Sequence, residues 1–242
     1  MSLQMLPRFV AHVDMLGMST LTVNDPHRAW AALSRFAQAR NDILQIAFTI
    51  VPTGETVHLS QRLAVLTFSD TVLAFSQSDE LADLHAILIL ASELLCRSMS
   101  YSIPVRAGIA HGPFVFNLDE QLFAGPPLVE AYHLGESAQW LGVVLDETTA
   151  RRARAIPHQS DRGRALVVEW DVSVKSSGTI RRQVLSWPES HRGNFQVNLP
   201  ISASTFYKPF EHISGPWSSL PLTTCAKYES TVAFINAQLC GP

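Results

Sequence analysis

The chain has 242 residues, 47% hydrophobic and 16% charged, with a net charge of −3. One sizeable core is available on this composition, and wholesale disorder is excluded. No run of Lys and Arg reaches four, so the concentrated basic face that duplex nucleic acid requires is missing.

The N-terminus through Arg8 carries no apolar segment of secretory type. Arg8 to Asp14 reads as a strand that ends on a carboxylate. Asn24-Asp25-Pro26 starts a helix, because a side-chain oxygen caps free N–H groups and proline suits the first turn. Trp30, Leu33, Phe36, Ala37, Leu44 and Ala47 recur at helical spacing, which predicts a helix to about Phe48. Pro52-Thr53-Gly54 ends it. Leu63–Phe68 and Val72–Phe75 predict a tight hairpin with Asp70 at its tip. From Asp79 a second helix follows, with Leu81, Leu84, Leu88, Ala91 and Leu95 on one side. Its longest unbroken apolar stretch, Ala86–Ala91, is far short of the roughly 18 residues a membrane span needs.

Val105 to His111 reads as a strand, with Gly112-Pro113 turning the chain. Phe114 to Phe123 forms an arm with a polar tip at Asn117–Gln121. A third helix runs from Pro126 to Trp140, then a short strand from Gly142 to Leu145, then a helix capped by Asp146. Ala165–Val174 and Thr179–Trp187 suggest a hairpin around Ser176-Ser177-Gly178. Residues 188–222 are loop-rich, and Ala226–Leu239 is a final amphipathic helix. The order predicts an α+β sandwich: a mixed or antiparallel sheet with helices on one face. Residues 1–150 form the expected main domain and 151–242 an extension packed on it. Cys96, Cys225 and Cys240 are scattered, without ligand spacing. A structural zinc site is therefore not expected, and a reduced, cytoplasmic compartment is.

Two carboxylates stand out by position. Asp14 ends an apolar strand and Asp70 tips an apolar hairpin, and such groups at one sheet edge suit a hard cation with nucleotide phosphates. On spacing alone the plainer reading takes precedence: Asp14 caps a turn, and Asp70 fills an ordinary hairpin position.

Four segments carry a resemblance that shifts this balance. FVAHVDMLGMSTL, LTFSDTVLAF, VRAGIAHGPFVF and FAGPPLVEAYHLGE resemble, in order, the metal strand, metal hairpin, following strand and interface helix of class III nucleotidyl cyclases. The segments cover about 1–150. Within that superfamily, FSD in place of Gly-Asp, Ala131-Tyr132 and the C-terminal AKYESTVAF are most similar to the pyrimidine cyclases of bacterial Pycsar anti-phage defence. The resemblance implies a lyase that acts as a homodimer, its interface formed by the Pro126–Trp140 helix and the Phe114–Phe123 arm. Two Mg²⁺ or Mn²⁺ ions per site are implied, held by Asp14, Asp70 and the Met15 carbonyl. The product would be cyclic UMP, or cyclic CMP from CTP, acting as a second messenger on an effector protein. With no sensor domain expected before residue 8, control is expected from outside the domain or from ligand binding to it.

The chain also departs from the common pattern. Purine cyclases place Asn and Arg on the interface helix where this chain has Val129 and His133, which leaves a catalytically silent nucleotide-binding domain as a rival reading. His133 and Arg106 are the candidate cationic donors; their plainer readings are a solvated helix residue and an edge-strand residue paired with a surface carboxylate. Lys175, Arg181 and Arg182 either reach the triphosphate tail or form an exposed basic edge. Purine cyclases read the base with polar groups at positions occupied here by Leu66 and Leu122. Apolar side chains there disfavour a purine; a pyrimidine is expected to be read from elsewhere in the pocket, by backbone groups or a side chain near Thr67, and the resemblance implies UTP over CTP. His12 reads as an ordinary sheet histidine, Tyr132 as helix packing, and Trp140, Trp170 and Trp187 as core.

Overall fold

The computed structural model describes residues 4–50, 53–157, 165–175, 178–191 and 199–240. Phe9, Val10 and Ala11 are fully buried, and so apolar a strand needs both faces covered. They form the centre of β1 (Leu6–Met15). β1 pairs antiparallel with β5 (Thr71–Ser76) on one side and β6 (Val105–Asn117) on the other. The sheet runs β4 (Leu63–Phe68), β5, β1, β6, β8 (Val143–Leu145), β10 (Thr179–Leu185), β9 (Val167–Ser173), and β7 (Leu122–Ala124) pairs with β6. Within it, β6 and β8 run parallel. The C-terminal hairpin thus continues the same sheet; Ser176 and Ser177 of its expected turn lie outside the described residues, as does Pro52.

Helices cover both faces, not one. α4 (Leu81–Ser100) buries Leu84, Ile87, Leu88, Ala91, Leu94 and Leu95 in the main core with Phe9, Ala11 and Val13. The alternate residue of β1, Val10, belongs to a separate small cluster with Ala64, Phe75 and Phe114, against which Leu66, Phe116, Phe123 and Leu128 pack. Leu128 lies on α5 (Pro126–Ser137). Side chains two apart on a strand share a face, so α5 lies over the face that carries Val10, His12 and Asp14. Gly108 on β6 lets it approach: a Cβ there would lie 2.0 Å from the Ala131 carbonyl oxygen and 2.8 Å from the Gly135 nitrogen.

Several expected boundaries move. The helix expected to reach Phe48 is α2 (Pro26–Leu44), preceded by the short α1 (Met18–Asn24). Phe48 instead pairs with Val57 in a small separate ladder of β2 (Ala47–Ile50) and β3 (Glu55–His58), and α3 (Leu59–Arg62) leads into β4. The β-branched residues of FTI and TVH favour strand, and the periodicity of α2 does not extend into them. Gly112-Pro113 does not turn the chain. β6 continues through it, opposite Arg8 and Pro7, because pairing with β1 holds the chain extended. The arm does form, as β6 and β7 with Asn117 opposite Leu122. α5 stops at Ser137, and Trp140 is buried beyond it. Asp146 caps α6 (Glu147–Ala153) by accepting from the Thr149 N–H at 2.8 Å.

After β10, α7 (Trp187–Ser190), α8 (Ala203–Tyr207) and α9 (Glu211–Ser214) lead to α10 (Leu222–Cys240). α10 is anchored by Phe234, whose ring lies 5.1 Å from Trp140 and 5.2 Å from Trp170. No helix among the described residues is long and apolar enough to cross a membrane.

Candidate active site

The end of β1 meets the tip of the β4–β5 hairpin. Ser69 takes a positive φ of 53° in the two-residue turn, which brings Thr71 opposite Asp14. The Met15 N–H donates to the Asp70 carbonyl at 3.0 Å. The turn that carries Asp70 therefore lies against the end of β1 that carries Asp14.

On the other flank, Arg106 of β6 is directly opposite Asp14. Its Nη2 and Nε donate to Asp14 Oδ2 at 3.0 and 3.2 Å. Its Nη1 donates to the Glu136 carbonyl at 3.1 Å, and Nη2 also pairs with the Glu136 carboxylate. Lys175 pairs with the same carboxylate, while its N–H donates to the Ser137 carbonyl at 3.1 Å. The result is a chain of alternating charge: Asp14, Arg106, Glu136, Lys175. Arg106 is only 7% exposed by side chain, so it is not an edge-strand residue on a surface carboxylate. Its partner is one of the two candidate metal-binding carboxylates.

His12 lies on the same face as Asp14, two residues before it, with the Tyr132 ring edge-on at 5.3 Å. Burial lowers its pKa; Asp14 and Asp70 pull it back up, and Arg106 pushes it further down. Tyr132 thus packs on the site, not into the helix core. Burial and Arg106 likewise lower the pKa of Lys175, against Asp14.

Hard divalent ions fit the donor set. Two carboxylates and a carbonyl are what Mg²⁺ takes when substrate phosphates and water complete its shell. Asp70 has no hydrogen bond or ion pair to its carboxylate among the described residues, whereas Asp14 Oδ2 is held by Arg106. No group of three or more His, Cys, Asp or Glu side chains that could hold an ion occurs among the described residues. An ion here would depend on the aspartates, the Met15 carbonyl and oxygens brought by a ligand.

Other expected residues separate. His133 is exposed on α5, its ring tilted against that of Tyr132 at 5.3 Å; among the described residues it does not join the cluster. Arg181 pairs with Glu169 and Asp171 of β9, and Arg182 sits opposite Trp170. Thr67 accepts from Arg40 and points to the other face from Leu66, so it does not share the Asp14 face. Leu66 is partly buried and Leu122 is exposed on the arm. Trp140 and Trp187 are fully buried, and Trp170 packs against the main core. Glu136 carries no local sequence signal. It stands out only because Arg106 and Lys175 converge on it.

No protein-family model and no curated protein matches the chain. Among solved structures, its fold is similar to the catalytic core of a rhodopsin-guanylyl cyclase with converted specificity in complex with ATPαS. That match has a TM-score of 0.55 and 12% identity, over 75% of this chain and 96% of that chain. An adenylate/guanylate cyclase/hydrolase from Silicibacter pomeroyi aligns with a TM-score of 0.45 and 17% identity, over 75% of this chain and 97% of that one. The fold is thus similar to that of a guanylyl cyclase catalytic core.

Proposed function

We propose that this chain is a nucleotide cyclase that converts UTP to 3′,5′-cyclic UMP and pyrophosphate. The observation that carries the reading is the juxtaposition of Asp14 and Asp70 at one sheet edge of a cyclase-type core. The 3′-hydroxyl of the ribose gives up its proton to water, its oxygen bonds to the α-phosphorus, the bond from that phosphorus to the bridging oxygen breaks, and pyrophosphate leaves. Asp14, Asp70 and the Met15 carbonyl hold Mg²⁺ or Mn²⁺. When bound, the ions lower the pKa of the hydroxyl and neutralise the triphosphate. Arg106 and Lys175 supply cationic donors to the anionic transition state.

Two features support a pyrimidine. Leu66 and Leu122 offer no hydrogen bond to a purine edge, and an unpaired polar atom costs roughly 1–3 kcal/mol to bury. UTP over CTP rests on the likeness to Pycsar cyclases, as do the role in anti-phage defence and an effector gated by the product. A homodimer with sites at the interface is part of the reading. Leu118 and Leu122 of the arm and Val129 and Tyr132 of α5 leave apolar surface exposed, suited to a second copy across a two-fold axis. His133 on the same helix would then face the partner. A monomeric mass at micromolar concentration, with full activity, would contradict this.

One observation favours a second reading. Arg106 already neutralises Asp14, and α5 lacks the Asn and Arg of purine cyclases. A silent nucleotide-binding domain would keep that pair closed. Competition among all four triphosphates with Mn²⁺, products identified by mass, decides between them. Cyclic UMP is expected. Cyclic AMP or GMP in excess overturns the pyrimidine reading, cyclic CMP corrects the base, and no cyclic product favours the silent domain.

A further inference from the structure

The chain contains three lysines, Lys175, Lys208 and Lys227, and two of them feel the charge of Asp14. Lys227 lies on α10, remote in sequence from every strand of the candidate site. Ser230, Thr231, Phe234 and Gln238 follow it at spacings of three, four, seven and eleven, the repeat of one helix face. That face is buried: Thr231 and Phe234 are fully enclosed, and Gln238 is nearly so. Lys227 therefore occupies the first position of an inward stripe, where an apolar residue is the ordinary occupant.

The stripe is held in register by hydrogen bonds. The Leu141 N–H donates to Thr231 Oγ1 at 2.8 Å, and the Thr231 hydroxyl donates to the Lys227 carbonyl at 2.8 Å. Ser230 Oγ lies 3.4 Å from Ser173 Oγ. The backbone beside these anchors is the one that presents Lys175: Gln139 N–H donates to the Ser173 carbonyl at 2.7 Å, and Lys175 N–H to that of Ser137. Thus the turn bearing Lys227 docks on the link from α5 to β8 and on the end of β9, next to the backbone that presents Lys175. The charge of Lys227 is correspondingly felt there. Burial lowers its pKa, Arg106 and Lys175 lower it further, and Asp14 raises it.

Lys227 has no ion pair among the described residues, whereas Arg106 and Lys175 share Glu136. A partly buried cation without an anion is costly to keep, and an anionic ligand removes that cost. We propose that Lys227 of the C-terminal helix is a phosphate-binding residue of the site, contacting the triphosphate tail and the pyrophosphate formed from it. A compact ammonium acts on phosphate as a point charge, which suits a terminal phosphate group that is not itself attacked. This makes α10 a part of the site as well as a covering of the core. The assignment rests on the triphosphate reading above but not on the identity of the base.

The test is a pair of measurements on the full chain. Inorganic pyrophosphate with Mn²⁺ is titrated into wild type, Lys227→Met, Lys227→Arg and Lys208→Met by calorimetry, and KM for UTP is measured beside it. Lys227→Met should weaken pyrophosphate binding and raise KM about tenfold, with its melting temperature maintained or raised because a partly buried charge without an ion pair is gone. Lys227→Arg should recover most of the affinity, and Lys208→Met should change neither quantity. Unchanged pyrophosphate affinity in Lys227→Met overturns the assignment. If wild type makes no cyclic product yet its pyrophosphate affinity depends on Lys227, the anion site stands and cyclase activity falls.

Discussion

Arg106 and the two aspartates set the charge state of the site, and substitutions separate their roles. Asp14→Asn keeps an oxygen for Arg106 to bond, and Asp70→Asn disturbs no ion pair among the described residues. Both variants should fold normally. Both should lose pyrophosphate release by about 10²–10³-fold, the scale expected when one element of transition-state charge stabilisation is removed; a coupled phosphate assay reads this directly. Activity near wild type in either variant would sink the metal-ligand assignment. Arg106→Met acts differently. It leaves the Asp14 and Glu136 carboxylates without their shared, 93%-enclosed partner (7% exposed). Breaking a buried pair from one side costs about 3 kcal/mol, so urea denaturation should show a clear fall in midpoint. Little change in midpoint would mean that Lys175 alone suffices for both carboxylates.

At the level of elements, the seat of α5 on β6 is the most sensitive joint. Gly108→Ala puts a methyl group 2.0 Å from the Ala131 carbonyl oxygen and 2.8 Å from the Gly135 backbone. Neither neighbour is a flexible side-chain end, so the helix must shift. Overpacking of this kind costs about 1–3 kcal/mol. The shift also moves Glu136, hence Arg106, so activity should fall together with thermal stability. A Gly108→Ala protein with wild-type melting and turnover would show that α5 is not rigidly seated. The docking of α10 has its own check. Thr231→Val preserves shape but leaves the Leu141 N–H without its acceptor, which should cost about 1–3 kcal/mol. Hydrogen exchange at Leu141 should then accelerate.

For the molecule as a whole, stability should depend on pH through its partly buried histidines. Burial is the main cause lowering the pKa of His12, His111 and His191 below 6.5. Between their folded values and 6.5 the unfolded chain binds more protons, so stability rises with pH there. It is complete above about 6.5 and lost as pH falls through the folded values. Asp83, raised above 3.8 chiefly by burial, has the opposite sign and favours the fold at the acid end of its own window. Differential scanning fluorimetry should show the melting temperature dropping from pH 7.5 to pH 5.5, and His111→Gln should reduce the slope. A flat profile would contradict burial of these rings. At this scale the division between local and distant information is also plain. The apolar strand ending at Asp14, the hairpin tipped by Asp70 and the caps at Asp25 and Asp146 were all legible in the sequence. Alternation, turn chemistry and capping act between residues a few positions apart. The partner of Asp14 was not legible, because Arg106 is 92 residues away and only the β1–β6 register sets them opposite. Nor could the sequence separate Lys175 from Arg181, two cations of one hairpin, or exclude His133 from the cluster. Residue pattern determined which elements form and where their carboxylates lie; the pairing of strands and the docking of α5 and α10 decided which charges meet, because electrostatic partnership depends on distance in space.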